Sequence, residues 1–174
     1  MLTLKVVNNN LYPLTVGRIV INIGIGQYAI TNSDHMLLTR SLGSCIAVIL
    51  YDPKSKRGAL AHPMLPAPPS QNSMDLEGRY VSKVIPILLE KMNYTHLGRC
   101  LEAALIGGAR IINIMDIGRR NVIKAREILK SYGITIKFED VGGRIVRSVL
   151  FDVQTGEVYV SRQEAKLCSK ITML

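Results

Sequence analysis

Residues 37–66 read LLTRSLGSCIAVILYDPKSKRGALAHPMLP, and this stretch restricts the fold more than any other. Two apolar runs, 46–51 and 59–61, flank Asp52, Pro53, Lys54, Ser55, Lys56, Arg57 and Gly58, which are residues that favour turns. The simplest reading is a β-hairpin with a longer loop, which carries the chain back along itself. Cys45 follows a Gly43-Ser44 turn at the start of the first run, and His62 follows the second run. Strand pairing therefore returns the imidazole toward the thiol.

A thiol and an imidazole at one end of a sheet are the parts of a cysteine nucleophile. The imidazole takes the thiol proton, stabilises the thiolate as imidazolium, and later protonates a leaving amine. Small residues before the cysteine allow a tight turn whose backbone N–H groups face a developing oxyanion. Thr39, six positions before Cys45, is the hydroxyl available to orient the imidazole. Local pattern alone leaves the bland alternative open: a cysteine in an apolar run is commonly a core residue. A histidine before Pro63 can equally cap a strand or bond a carbonyl.

Several ordered motifs go further. Leu42-Gly43-Ser44-Cys45, Tyr51-Asp52-Pro53 and Ala61-His62-Pro63-Met64-Leu65-Pro66 resemble the signature of the CheD family, the chemoreceptor glutamine deamidases of prokaryotic chemotaxis. Gly24-Ile25-Gly26-Gln27-Tyr28, Gly78-Arg79-Tyr80, Ile106-Gly107-Gly108-Ala109, Ile117-Gly118-Arg119-Arg120-Asn121, Glu139-Asp140-Val141-Gly142-Gly143-Arg144 and Arg147-Ser148 extend the resemblance over about residues 21–159. The resemblance implies Cys45 as nucleophile, His62 as general base and Thr39 as the third catalytic residue. Arg40, Ser41 and Pro63 depart from the family's usual pattern; a cationic side chain beside the nucleophile favours acidic partners or narrows the entrance.

What the resemblance implies about function is hydrolysis of receptor glutamines to glutamate through a cysteine thioester, with no cofactor and no metal. The implied partners are methyl-accepting chemotaxis receptors and a CheC-type phosphatase. The implied fold is a single α+β domain, a β-sandwich or layered mixed sheets flanked by helices, with the nucleophile at one edge, as in other cysteine hydrolases. Two other functions remain: a non-catalytic adaptor that binds receptors or the phosphatase, and a different cysteine-hydrolase reaction such as transglutamination.

Composition narrows the classes. The length suits one domain with a true core. Twenty-two Lys and Arg against thirteen Asp and Glu give a formal charge of +9, which steers acidic partners toward the chain. The basic residues are scattered and aromatic stacking platforms are few, which argues against nucleic acid. Cys45, Cys100 and Cys168 are odd in number and irregular in spacing, and with His35, His62 and His96 they make neither a disulfide framework nor a zinc motif. No apolar run reaches membrane-spanning length and the first residues lack signal-peptide order, so the expected compartment is the cytoplasm.

In chain order, residues 1–18 read as an N-terminal extension, either a loose arm marked by Asn8, Asn9, Asn10 and Pro13 or an edge strand. Residues 19–161 read as the deamidase domain and 162–174 as a tail, in which Cys168 is incidental. Strands are expected at 19–25, 28–30, 101–106, 134–139, 145–153 and 158–160, the last three as successive hairpins. Residues 67–73 read as a proline-rich loop, either shaping the entrance beside His62 or serving as an exposed connector. An amphipathic helix is expected over 75–92, with Pro86 as an awkward guest. A second is expected over 121–132, with Asn121 as N-cap and Gly133 as stop. Gly107-Gly108 reads as a plain turn or a backbone approach to ligand, the turn being favoured, and it lacks the Lys of a P-loop.

Overall fold

Every residue of strand β5 (Ile46–Asp52) is buried, and the molecule is layered about it. β5 pairs antiparallel with β6 (Arg57–Ala61) and with β7 (Glu102–Gly107), at the centre of a sheet in the order β3-β6-β5-β7-β8. Here β3 is Tyr28–Asn32 and β8 is Thr135–Val141. The second sheet runs β1-β10-β9-β4-β2, with β1 Thr3–Val7, β2 Val20–Asn22, β4 Met36–Leu42, β9 Ile145–Asp152 and β10 Glu157–Glu164. The structure is a computed structural model and describes residues 1–8, 10–32, 34–69, 76–94, 101–110 and 116–164. Cys100, Cys168, His96, residues 70–73 of the expected loop and residues 165–174 of the expected tail lie outside them.

Alternation along the strands explains the layers, since successive side chains leave a strand on opposite faces. Ala47, Ile49 and Tyr51 of β5 join Leu60, Ala104 and Ile106 in facing the second sheet, where Leu37, Val149, Phe151, Val158 and Val160 meet them. Tyr51 and Phe151 touch edge to face across this core, 5.6 Å between centroids. Ile46, Val48 and Leu50 point the other way, against the helices α1 (Val81–Lys91) and α2 (Ile117–Ser131). The outer face of the second sheet is covered near Met36, Leu38 and Leu150 by Leu11 and Leu14.

The hairpin read from the sequence is present. Asp52 builds its turn, its carboxylate accepting from the Lys54 N–H at 2.9 Å and the Ser55 hydroxyl at 2.8 Å. α1 contains Pro86 and still runs through, because only one intrahelical donor is lost and the buried face of Val81, Val84, Ile85, Leu88 and Leu89 anchors it. The first donors of α1 are met by the segment after His62: Val81 N–H donates to Leu65 O and Ser82 N–H to Pro66 O. Gly133 ends α2 with a positive φ of 69°, while Ile134 N–H donates to Leu129 O and Gly133 N–H to Lys130 O.

Other expectations are corrected. Asn121 is no N-cap: α2 begins at Ile117, one turn earlier, and Asn121 lies on its buried face with Gly118, Val122, Ala125 and Leu129. The Gly142-Gly143 turn does not close a hairpin, because β8 and β9 belong to different sheets and the turn carries the chain between them. Only β9 and β10 form a hairpin in that stretch. β7, α2 and β8 make a parallel crossover that the strand-rich reading did not include. β1 lies parallel to β10, Thr3 opposite Glu157, so residues 3–7 take the edge-strand alternative.

Candidate active site

Thr39 lies on the inner face of β4, two residues after Leu37 of the intersheet core. Its Oγ1 is 2.8 Å from Ile23 O and 2.7 Å from His62 Nδ1. A threonine hydroxyl has one proton. The Ile23 carbonyl only accepts, so that proton goes to Ile23 and the hydroxyl accepts from His62. The imidazole is therefore the Nδ1–H tautomer, and Nε2 carries the lone pair. Nε2 is buried and has no hydrogen-bond partner among the described residues.

His62 extends the end of β6. Its N–H donates to Gln27 O at 3.0 Å, and its carbonyl accepts from Gly26 N–H at 2.8 Å, so both sides of its peptide are held. The residue is 2 % exposed. Burial lowers its pKa to about 4, against a smaller opposing effect from the Ile23 backbone. The resting imidazole is neutral at physiological pH.

Cys45 immediately precedes β5. The β5–β6 register sets Val48 against Ala61, and Ile46 N–H donates to Pro63 O at 3.2 Å, so the next step along the ladder puts Ala47 opposite His62. Cys45, two residues from Ala47, faces the same core. Cys45 and His62 are thus diagonal cross-strand neighbours on one face, the relation in which longer side chains meet. The thiol is free and half-buried. Burial raises its pKa, partly offset by its own backbone N–H. Thiol and imidazole are both neutral at rest, and no hydrogen bond joins them in this structure.

The Cys45 turn is anchored from behind. Gly43 O accepts from Ala109 N–H and Cys45 O from Gly108 N–H, each at 2.7 Å. A Cβ on Gly107 would stand 2.5 Å from Cys45 O, and one on Gly108 2.6 Å from Val122 Cγ2. The Gly-Gly pair therefore serves close packing of three backbone segments, where the sequence was read as a plain turn.

Right after Thr39, β4 breaks register. Thr39 pairs with Val149 but Leu42 with Arg147, so Arg40 and Ser41 stand against Ser148 alone. Ser41 has φ 60°. This bulge lets β4 leave the sheet toward Cys45. Arg40, placed by the bulge, is exposed and donates to Asn22 Oδ1 at 3.0 Å. Together with Ile23, Gly24, Ile25 and Leu38 it borders a cleft of about 250 Å³ that reaches His62. Among the described residues no three His, Cys, Asp or Glu side chains stand together as a metal ion would require.

Sequence reasoning missed Asn121, whose buried side chain donates to Ser44 O in the turn before Cys45. Nothing in its local pattern separates a buried asparagine from a cap. The bulge at Arg40 and Ser41 was also missed, although those residues stood out as departures.

Comparison with known proteins finds relatives along most of the chain. The chain is 38% identical over 143 residues to the chemoreceptor glutamine deamidase CheD of Thermotoga maritima, covering 80% of this chain and 90% of that protein. It is 35% identical over 156 residues to a probable chemoreceptor glutamine deamidase CheD of Desulforamulus reducens, covering 84% and 93%. The corresponding protein of Clostridium novyi is 38% identical over 147 residues, covering 80% and 91%. A crystal structure of a Neisseria meningitidis protein of family DUF152 shares the fold, with TM-score 0.51, 11% identity, and coverage of 74% of this chain and 66% of that one. The family description "CheD chemotactic sensory transduction" matches residues 64–162, just beyond His62. With a match over more than half its length and relatives similar along most of it, the chain belongs to the CheD family.

Proposed function

We propose that this protein is a chemoreceptor glutamine deamidase, with Cys45 as nucleophile, His62 as general base and acid, and Thr39 as the group that orients His62. One observation carries the reading. In a chain 38% identical to a named chemoreceptor glutamine deamidase, Thr39 holds His62 with its Nε2 lone pair unpartnered among the described residues, on the inner face that Cys45 shares.

In the proposed reaction, His62 Nε2 removes the Cys45 proton as sulfur attacks the side-chain carbonyl carbon of a receptor glutamine. The C=O electron pair moves onto oxygen, and the Ser44 and Cys45 N–H groups stabilise that oxyanion. As the tetrahedral species collapses, the C–N bond breaks and imidazolium supplies the proton that makes ammonia. Water then attacks the thioester while Nε2 takes its proton, and the C–S bond breaks to leave glutamate and the thiol. The sum is amide plus water to acid plus ammonia.

Methyl-accepting chemotaxis receptors are the substrates under this reading, and a CheC-type phosphatase is proposed as a second partner. The cytoplasm is the proposed site of action; none of the described helices is long and apolar enough to cross a membrane. Intact-mass spectrometry of a receptor cytoplasmic fragment tests the reading. Hydrolysis of each amide adds about one dalton, which Cys45→Ala and His62→Ala must abolish. Binding without mass change would replace the enzyme with an adaptor. An amide product formed with an added amine would indicate transglutamination.

A further inference from the structure

Asn121 is 0 % exposed, one turn into α2. Its Nδ2 donates to Ser44 O at 3.0 Å and to Met64 O at 2.9 Å. Two carbonyls can be met only by an NH2 group, so the acceptors fix the orientation of the amide. Its Oδ1 is buried with no partner among the described residues. An asparagine inside a helix, with half of its amide unsatisfied, is costly for stability. The two acceptors show what it holds: one belongs to the nucleophile turn, the other lies two residues past His62.

The consequence follows from peptide geometry. In a trans peptide the C=O and the next N–H point in opposite directions within one plane, and none of these peptides is cis. Holding Gly43 O by Ala109 N–H therefore aims the Ser44 N–H away from Ala109. Holding Ser44 O by Asn121 aims the Cys45 N–H away from α2. No carbonyl or side chain of another described residue accepts from either N–H. Gly43 O and Cys45 O are held by backbone donors; the peptide between them depends on a side chain.

We infer that Asn121 is a positioning residue for the deamidation, fixing the Ser44–Cys45 peptide so that the Cys45 N–H meets the oxyanion and tying that peptide to the segment that leaves His62. The inference rests on the deamidase reading. It predicts a defect in the step that develops negative charge on oxygen, with substrate binding and thiol reactivity kept.

The test compares wild type, Asn121→Ala and the isosteric Asn121→Asp by ammonia release from the receptor fragment, alkylation of Cys45 by iodoacetamide, and thermal melting. Displaced oxyanion donors should lower kcat by about a hundredfold, with KM and the alkylation rate near wild type, since alkylation forms no oxyanion. In Asn121→Asp a protonated carboxyl regains one donor, so its kcat relative to wild type should climb as pH falls. A buried alanine that fails to fold leaves the aspartate variant to decide. The inference is overturned by unchanged kcat in a folded variant, by kcat and alkylation falling together, or by an aspartate-to-wild-type ratio flat with pH. A wild type that releases no ammonia defeats the deamidase reading and takes this inference with it, whereas equal activity in wild type and variants defeats this inference alone.

Discussion

At the scale of single residues, the site rests on one hydroxyl proton. Because Thr39 gives it to Ile23 O, His62 must donate through Nδ1 and keeps Nε2 as a base. Thr39→Val keeps the shape and loses the acceptor. We expect it to lower kcat by about a hundredfold or more, since the imidazole is no longer held in the working tautomer. Thr39→Ser should retain most activity, and steady-state ammonia release measures both. His62, with a pKa lowered to about 4, should remain neutral in an NMR titration from pH 8 until that region. The acid limb of kcat/KM should follow it there, well below the usual histidine value near 6.5. The proposed Cys45, Thr39 and His62 were picked out in the sequence by the motifs that resemble the CheD family, since their local pattern alone also fits a core cysteine and a strand-end histidine. Asn121 was not: a polar residue ahead of apolar helical positions looks the same whether it caps the helix or lies beneath it, and only tertiary packing decides.

Elements explain what single residues do not. The end of β7, the start of β5 and the first turn of α2 approach so closely that Gly107, Gly108 and Gly118 have no room for a Cβ. Gly107 also has φ 109°, a conformation unfavourable for other residues. Gly107→Ala combines backbone strain with a clash against Cys45 O, and we expect a loss of about 3 kcal/mol or more. That is a melting temperature lower by roughly 6–12 °C in a domain of this size. Activity should fall as well, because the displaced atom belongs to Cys45, the proposed nucleophile. The hairpin of β5 and β6 was readable, since its apolar runs and turn residues are contiguous. β4 was not read as a strand: Arg40, Ser41 and the bulge interrupt its alternation. The Gly142-Gly143 turn was misread for a related reason. Glycine signals reversal of the chain, but which sheet receives the next strand depends on partners distant in sequence.

For the whole molecule, buried His62 and Asp140 both contribute to its response to acid. Unfolded His62 binds a proton below about pH 6.5, while the folded residue resists protonation until about 4. The unfolded state thus binds more protons in that window, and stability drops as pH falls through it, by about 3 kcal/mol at most. Asp140 acts lower. Burial alone would raise its pKa, but hydrogen bonds and charge from Arg147 and Arg162 hold it below the ordinary carboxylate range. Its contribution is complete above that range and is lost as pH falls through its lowered pKa, leaving Arg147, 4 % exposed, without its carboxylate. Urea unfolding at a series of pH values should show both stages, and His62→Gln should flatten the upper one alone. The layered α+β architecture was legible from strand-like runs and two helical patterns, but the order of strands was not. Pairings such as β1 with β10 join the two ends of the chain, and no local pattern encodes them.

The strand that carries Thr39 has a bearing on when the protein becomes active during synthesis. Thr39, Cys45 and His62 all leave the ribosome early, yet β4 is held in its sheet by β9, residues Ile145–Asp152. A nascent chain therefore exposes a cysteine and a histidine for most of its translation without the support that sets the imidazole. Under the proposed mechanism we expect amide hydrolysis only once the second sheet closes over the first, so a chain stopped before β9 should release no ammonia from the receptor fragment.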